Sequence, residues 1–157
     1  MISELGTSLC SVPVFAQTVD WRDGTFGHLS KHIATDDYDA VLQDSAVAQM
    51  IEAMLGEQTA TLTERLVVHG PIGFSGTCLE LAGNAVRQGG DQMAYVAVCP
   101  SDGTVEVALA ADGAIDVYAA TSNYAHVSHG LRQWIGHYLN NYATKGSMPS
   151  NVNLRER

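Results

Sequence analysis

The chain has 157 residues, the size of one ordinary domain, and its hydrophobic content of 46% is enough for a core. Eight Lys and Arg residues stand against 17 Asp and Glu residues, so the formal net charge is −9. Binding to nucleic acid phosphates or to an anionic membrane needs basic side chains, and this charge argues against direct binding to either. No run of about 18 apolar residues is present, so no transmembrane helix is expected.

The N-terminal segment gives few structural indications. Residues 1–11 are expected to be loose. Residues 12–20 are predicted to form an edge strand, with Pro13 near its start, where the missing N–H does least harm. A turn at residues 21–24 follows, and residues 25–33 are compatible with either a short helix or an irregular segment.

A clear helix is predicted over residues 38–55. Asp36 or Asp37 would cap its N-terminus, where a negative charge suits the helix dipole, and Gly56 would end it. Apolar side chains recur three and four positions apart, which predicts one buried side. These side chains belong to Val41, Val47, Met50, Ile51 and Met54.

The next segment is predicted to contain a strand, a loop and a second helix. Residues 59–69 are rich in Thr, Leu and Val without clean alternation, which favours a strand whose second half is buried on both faces. Residues 70–76 form a Gly-rich loop. They lead into a predicted helix over residues 77–88, which Gly89-Gly90 would end.

Two Asp-Gly pairs divide residues 93–121 into three short apolar runs. Gly accepts a positive φ and Asp can bond its own backbone, so each pair is typical of a β-hairpin turn. The runs carry Val, Ile and Tyr with partial alternation, which predicts a three-stranded antiparallel meander. They cover residues 93–99, 104–110 and 114–121, and the turns contain Asp102-Gly103 and Asp112-Gly113.

A further helix is predicted after the meander, with Ser122-Asn123 as its N-cap. Seven apolar side chains spaced three and four apart form a stripe that needs a sheet face to cover. Residues 145–157 have few apolar side chains and no period, so a frayed tail is expected there. The stripe consists of Val127, Leu131, Trp134, Ile135, Tyr138, Leu139 and Tyr142.

Together these elements predict an α+β fold, in which an antiparallel sheet of four to five strands packs against two to three helices. Residues 12–144 would form a single domain between the loose N-terminus and the flexible tail. The third meander strand or residues 12–20 could leave a sheet edge free, so the sequence allows a homodimer.

The three cysteines, Cys10, Cys78 and Cys99, do not form a disulfide framework, since an odd number leaves at least one thiol unpaired. No Cys-x-x-Cys pair is present, so structural zinc is not expected, and no motif calls for a cofactor. This cysteine usage favours a reducing compartment and predicts a cytoplasmic location. The alternative is secretion, because Val14-Phe15-Ala16 is similar to a signal-peptidase site, but residues 1–11 lack a positive charge and a sustained apolar core.

The best candidate for chemistry is Cys78 together with His69. The predicted strand, loop and helix would place Cys78 in a first helical turn, where the helix dipole lowers the pKa of a thiol. His69, at the end of the strand, would be the base of a thiolate–imidazole pair for acyl transfer. Cysteine is more often buried than reactive, so a structural role for Cys78 is the preferred interpretation.

Three histidines, His126, His129 and His137, lie opposite the apolar side of the last helix. Histidines spaced three or four positions apart can share a metal ion. No carboxylate or Cys joins them within the helix, so a solvated polar face is preferred to a metal site.

Four acidic and two aromatic residues are candidates for contact with a partner protein. The acids can cap a helix or form a negative surface that attracts a basic partner. The aromatics flank predicted turns, and exposed aromatic side chains mark contact surfaces more often than other residues do. These candidates are Asp36, Asp37, Asp39, Asp44, Trp21 and Tyr124.

Three functions remain open. Since no coherent catalytic set is present and the charge is negative, the preferred hypothesis is a non-catalytic acidic protein that binds a partner as an inhibitor, immunity or accessory protein. The partner would be a basic protein or an enzyme that handles nucleic acid. The first alternative is a small cysteine-dependent hydrolase or acyl-transfer enzyme that uses Cys78 and His69. The second is a small-molecule-binding protein with a pocket lined by Met50, Met54, Tyr95, Tyr118 and Trp134.

Overall fold

The computed structural model describes residues 24–88, 90–139 and 147–157. In this part of the chain, every helix is too short or too polar to span a bilayer. Short 3₁₀ segments lie at Gly27–His32, Gly56–Gln58 and Tyr124–His126. The helices are α1 (Tyr38–Leu42), α2 (Ser45–Leu55), α3 (Thr59–Arg65) and α4 (His129–Leu139). The strands are β1 (Val68–His69), β2 (Gly73–Ser75), β3 (Cys78–Asn84), β4 (Met93–Cys99), β5 (Thr104–Ala111), β6 (Ala114–Ala119) and β7 (Val152–Glu156).

The strands form one sheet in the order β1-β3-β4-β5-β6-β7, and β2 also pairs with β3. Short β1 and β2 share the outer edge of β3, β1 near its C-terminal end and β2 near its N-terminal end. All pairs are antiparallel except β6 with β7, which is parallel. The α+β class and the meander β4–β5–β6 are confirmed, and the sheet has more strands than the four to five that were predicted.

Helices cover both faces of the sheet, and the side chains of β4 alternate between the hydrophobic cores on the two faces. Ala94, Val96 and Val98 face α1, α2 and α3. Tyr95, Ala97 and Cys99 face α4. Because both faces are buried, apolar residues occupy successive positions, and the alternation in the sequence is therefore only partial.

The predicted helix over residues 38–55 is two helices in the structure. Asp37 caps α1 by accepting a hydrogen bond from the Ala40 N–H, as predicted. Asp44 has extended backbone angles and caps α2, accepting from the N–H groups of Ala46 and Val47 at 3.2 and 3.3 Å. The second cap divides the helix, because an N-cap residue lies outside helical geometry.

Residues 59–69 were predicted to be a strand, and this prediction was wrong over most of the segment. Residues 59–65 form α3, and β1 begins only at Val68. Leu62 and Leu66 are both buried, and their spacing of four positions is helical. The Thr residues suggested a strand. The packing of these two leucines outweighs the weak intrinsic preference of Thr for β-strands.

The predicted helix over residues 77–88 is also wrong, since residues 78–84 form strand β3. Leu79 and Leu81 are fully buried on one face, while Glu80 and Ala82 between them are less buried. This is the period of two that a strand requires.

The predictions for the two ends of the chain had different outcomes. Val12 and the other residues of the predicted edge strand at 12–20 lie outside the described residues. The stripe on the last helix is confirmed where it is described, with Leu131 and Ile135 fully buried. The predicted frayed tail is wrong over β7, in which Val152 is only 3% exposed. Because β7 covers β6, the third meander strand does not leave a free edge.

Candidate functional site

Cys78 and His69 do not meet in a catalytic pair. Cys78 lies in β3 and forms a disulfide with Cys99 of β4, which lies opposite it in the antiparallel register. His69 stacks on Tyr38, with ring centroids 3.7 Å apart, and its Nδ1 lies 2.9 Å from Gly70 O. A disulfide sulfur has no thiolate to attack with, so this structure offers no acyl-transfer site at Cys78.

The loop between β3 and β4 lies at one end of the sheet and is described at residues 85–88 and 90–92. Its base is closed by a hydrogen bond from the Ala85 N–H to Gln92 O, and a turn follows from the Gln88 N–H to Ala85 O. Arg87 has a φ of 59°, which a residue with a side chain adopts only when its surroundings enforce it. Residues on both sides of the loop are therefore tied to one another by backbone hydrogen bonds.

Two neighbouring elements hold the β3–β4 loop in place. Asp91 Oδ1 accepts a hydrogen bond at 2.8 Å from the N–H of Asp112, in the turn between β5 and β6. The Tyr138 hydroxyl of α4 donates to Asp91 O at 2.9 Å and accepts from the Gly113 N–H at 3.2 Å. The end of α4 and the β5–β6 turn thus support the loop from below.

Apolar side chains are exposed at this same end of the sheet. Val86, in the loop, is 56% exposed. Val67 and Val68 are 56% and 46% exposed, and Val68 lies opposite Asn84, the last residue before the loop. Arg87 and Gln88 beside Val86 are exposed as well. Exposed apolar side chains that lie close together are typical of a surface that binds another protein.

The partner-contact residues predicted from the sequence are placed elsewhere. Asp37 and Asp44 are helix caps, and Asp44 also lies 2.5 Å from His28 Nε2. Asp36 and Asp39 are exposed. Tyr124 is buried against α4, contrary to the expectation that it is exposed, and Trp21 lies outside the described residues.

The pocket predicted for a small molecule does not exist as one cavity. Tyr95 and Trp134 line a cavity of about 350 Å³ on the α4 side of the sheet. Met50 and Met54 line a cavity of about 230 Å³ next to α2, and Tyr118 belongs to the core on that opposite face. The sheet separates the two groups.

The histidine side of α4 is exposed, as expected. His126, His129 and His137 all lie at the surface. Among residues 24–88, 90–139 and 147–157, no three His, Cys, Asp or Glu side chains are arranged to hold a metal ion.

Sequence reasoning missed the β3–β4 loop because a helix was predicted across it. Gln88-Gly89-Gly90-Asp91 between two apolar runs is typical of a hairpin connection. Reading residues 78–84 with a period of two would have revealed it.

An α+β domain whose candidate catalytic side chains are engaged elsewhere, and which exposes apolar side chains at one end of its sheet, has the features of a protein-binding module. The family model for the inhibitor of vertebrate lysozyme (Ivy) matches residues 46–141, more than half of the chain, and the chain belongs to this family. Membership supports a non-catalytic protein inhibitor that binds a partner protein, in agreement with the preferred hypothesis. Comparisons with curated proteins and with solved structures give no match.

Family membership also corrects the predicted location. The lysozyme inhibitors of this family are periplasmic or secreted proteins, so the cytoplasmic prediction is wrong. The Cys78–Cys99 disulfide agrees with this correction, because structural disulfides persist in oxidising compartments. The error arose because the odd number of cysteines was taken to indicate a reducing compartment.

Proposed function

We propose that this chain inhibits a vertebrate lysozyme by binding to it, and that the β3–β4 loop makes the central contact. The family to which the chain belongs supports the partner class. The observation that supports the loop is the combination of an exposed Val86 and an exposed Arg87 on a backbone held in a left-handed conformation.

A loop whose base is held in place before docking loses less conformational entropy when it binds. The hydrogen bonds from Asp112 and Tyr138 to Asp91 fix the base of the loop before any partner arrives. Arg is enriched among the residues that dominate binding energy, whereas Val is not. Arg87 is therefore the anchor, and Val67, Val68 and Val86 exclude water around it.

Arg87 complements the chemistry of a lysozyme active site. Lysozyme cleaves its substrate with two carboxyl groups in an open cleft, and one of them stays ionised. A guanidinium group pairs with a carboxylate through two parallel hydrogen bonds, which is among the strongest polar contacts available. A loop that places Arg87 against these carboxyl groups blocks the cleft, so inhibition is competitive with the cell-wall substrate.

The rest of the surface favours a basic partner. The formal net charge of −9 attracts a positively charged enzyme over several ångströms, and the exposed Asp36 and Asp39 contribute to this field. Such attraction raises the association rate more than the final affinity. The association rate with lysozyme therefore falls as salt is added, while the dissociation rate changes little.

The experiment measures the inhibition constant for a vertebrate lysozyme on a bacterial cell-wall suspension. Arg87→Asn removes the guanidinium, and Asn accepts the left-handed backbone that the loop requires. It is expected to weaken inhibition about thirtyfold or more, the loss that corresponds to roughly 2 kcal/mol at a binding hot spot. Arg155→Asn is the matched control, since Arg155 is an exposed arginine on β7 that pairs with Asp116.

Two outcomes contradict the proposal at different levels. If the unmodified chain does not inhibit a vertebrate lysozyme, the proposed function is wrong. If it inhibits but Arg87→Asn retains full potency, the function stands and the contact lies elsewhere. An Asp36→Asn, Asp39→Asn double variant that loses more potency than Arg87→Asn would move the contact to the acidic surface.

A further inference from the structure

A second site lies at the opposite end of the sheet from the β3–β4 loop. A cavity of about 410 Å³ opens there between the start of α4 and the β4–β5 turn, and the Cys78–Cys99 disulfide forms part of its wall. Its charged and polar lining includes Glu106, Asp102, Ser128 and the two histidines His126 and His129. We propose that this cavity binds one ammonium or guanidinium group, with Glu106 as the principal anionic contact.

Glu106 is the observation that carries the proposal. Its side chain lies in the α4-facing layer of β5, between Thr104 and Ala108 of the same face, and the residue is only 7% exposed. Both carboxyl oxygens lie near one donor, the Ser128 N–H, at 3.1 and 3.2 Å. A carboxylate buried this deeply usually has a cationic partner.

No Lys or Arg among the described lining residues contacts Glu106 from within the cavity. Burial raises the pKa of Glu106, and Asp102 raises it further, while hydrogen bonds from Ser128 and the charge of Arg132 oppose these effects. Arg132 acts on Glu106 through its charge, but it does not line the cavity, and its Nε donates to Val127 O at 3.0 Å. The described lining of the cavity contains neither Lys nor Arg. A ligand cation in the cavity would add to the partial compensation that Ser128 and Arg132 provide.

Apart from His126 and His129, the remaining lining is suited to a cation more than to an anion. Asp102 adds a second negative charge, and hydroxyl oxygens that can accept hydrogen bonds surround the space. The volume lies within the range of small-ligand sites and is large enough for the end of a Lys or Arg side chain or for a small amine. The hydroxyl groups belong to Ser75, Thr77, Thr104, Thr121 and Ser128.

The same chemistry can come from a free amine or from a basic side chain of a bound protein. The site does not depend on the proposed lysozyme contact, because it lies at the other end of the sheet from Arg87. A negative result for cation binding at Glu106 can therefore be distinguished from a negative result for lysozyme binding at Arg87.

The test is a titration of the ¹⁵N-labelled protein with n-butylammonium, followed by the amide signal of Ser128, with sodium butyrate as the matched anion. Saturable shifts with butylammonium, and none with butyrate, are expected. Glu106→Gln keeps an acceptor for the Ser128 N–H and should weaken binding about tenfold or more. Asp102→Asn should weaken it less, and Glu57→Gln, at an exposed position, should not change it.

The proposal is overturned if no saturable shift occurs up to about 100 mM butylammonium, or if Glu106→Gln binds as well as the unmodified chain. The source of the cation follows from a second measurement, lysozyme inhibition at saturating butylammonium. Weaker inhibition there, reproduced by Glu106→Gln, supports a basic side chain of the partner as the ligand. Unchanged inhibition supports a free amine.

Discussion

Gly130, at the start of α4, packs directly against the carboxylate of Glu80 on β3. A Cβ at position 130 would overlap Glu80 Oε1 and stand 2.7 Å from the Tyr95 hydroxyl oxygen. Moving Glu80 aside would break the hydrogen bond that its Oε1 accepts from the Tyr95 hydroxyl at 2.5 Å. The missing side chain of Gly130 therefore sets the distance between α4 and the sheet.

Replacing Gly130 by Ala is expected to destabilise the protein by about 1–3 kcal/mol, the usual cost of inserting a methyl group into a packed contact. Either the helix shifts or the Glu80–Tyr95 hydrogen bond breaks. Denaturant unfolding measures the change. Gly70→Ala is the control, since a Cβ there has no atom within 4 Å. Equal stability of Gly130→Ala and the unmodified chain would show that α4 can withdraw without cost.

Stability is expected to decline in alkaline solution because of Tyr95. Burial, and then the hydrogen bond to Glu80, raise the pKa of Tyr95 far above its ordinary value of 10.0. In the unfolded chain this phenol ionises near pH 10, while in the folded chain it stays neutral. Its contribution is therefore complete below pH 10 and is lost as the pH rises beyond that value.

Tyr95→Phe tests this pH dependence. The variant should be about 1 kcal/mol or more less stable at neutral pH, because Glu80 loses its donor. Above pH 10 its stability should fall less steeply than that of the unmodified chain. Burial also raises the pKa of Tyr38 and Tyr124, so some slope will remain. Urea unfolding at a series of pH values measures the curves, and parallel curves would contradict the assignment to Tyr95.

The Cys78–Cys99 disulfide is expected to contribute about 3 kcal/mol to stability. It closes a segment with a sequence separation of 21 residues, and a cross-link of this length removes conformational entropy from the unfolded chain. The double variant Cys78→Ala, Cys99→Ala should lose that amount in denaturant unfolding. Peptide mapping without reduction should recover residues 78 and 99 in one linked pair, and a linkage through Cys10 would disprove the pairing.

Deleting residues 152–157 is expected to destabilise the chain by about 2 kcal/mol or more, since Val152 is buried against β6 and α4. The deletion also uncovers the edge of β6, and a free edge promotes pairing between chains. Thermal unfolding and size-exclusion chromatography should show a lower midpoint and larger species. Asn153→Ala, at an exposed position of the same strand, should do neither.

Prediction from the sequence succeeded for elements that are determined by neighbouring residues in the chain. At the turn between β5 and β6, Asp112 and Gly113 have φ values of 55° and 75°, and this tight hairpin turn is what an Asp-Gly pair favours. Asp37 caps α1 through its nearest neighbours in the chain. The stripe of α4 repeats within a few turns of helix. Each of these features depends on residues that are close together in sequence.

Residues 59–65 and 78–84 were assigned to the wrong element because short apolar runs fit either period until a partner is present. The α+β class, the meander and the amphipathic last helix were determined by the sequence alone. The tertiary structure decided the Cys78–Cys99 pairing, the parallel strand β7, the burial of Glu106 and the contacts that Asp91 of the β3–β4 loop makes. Each of these depends on register or contact between residues far apart in the chain, and local preference, worth a fraction of a kcal/mol per residue, cannot select them.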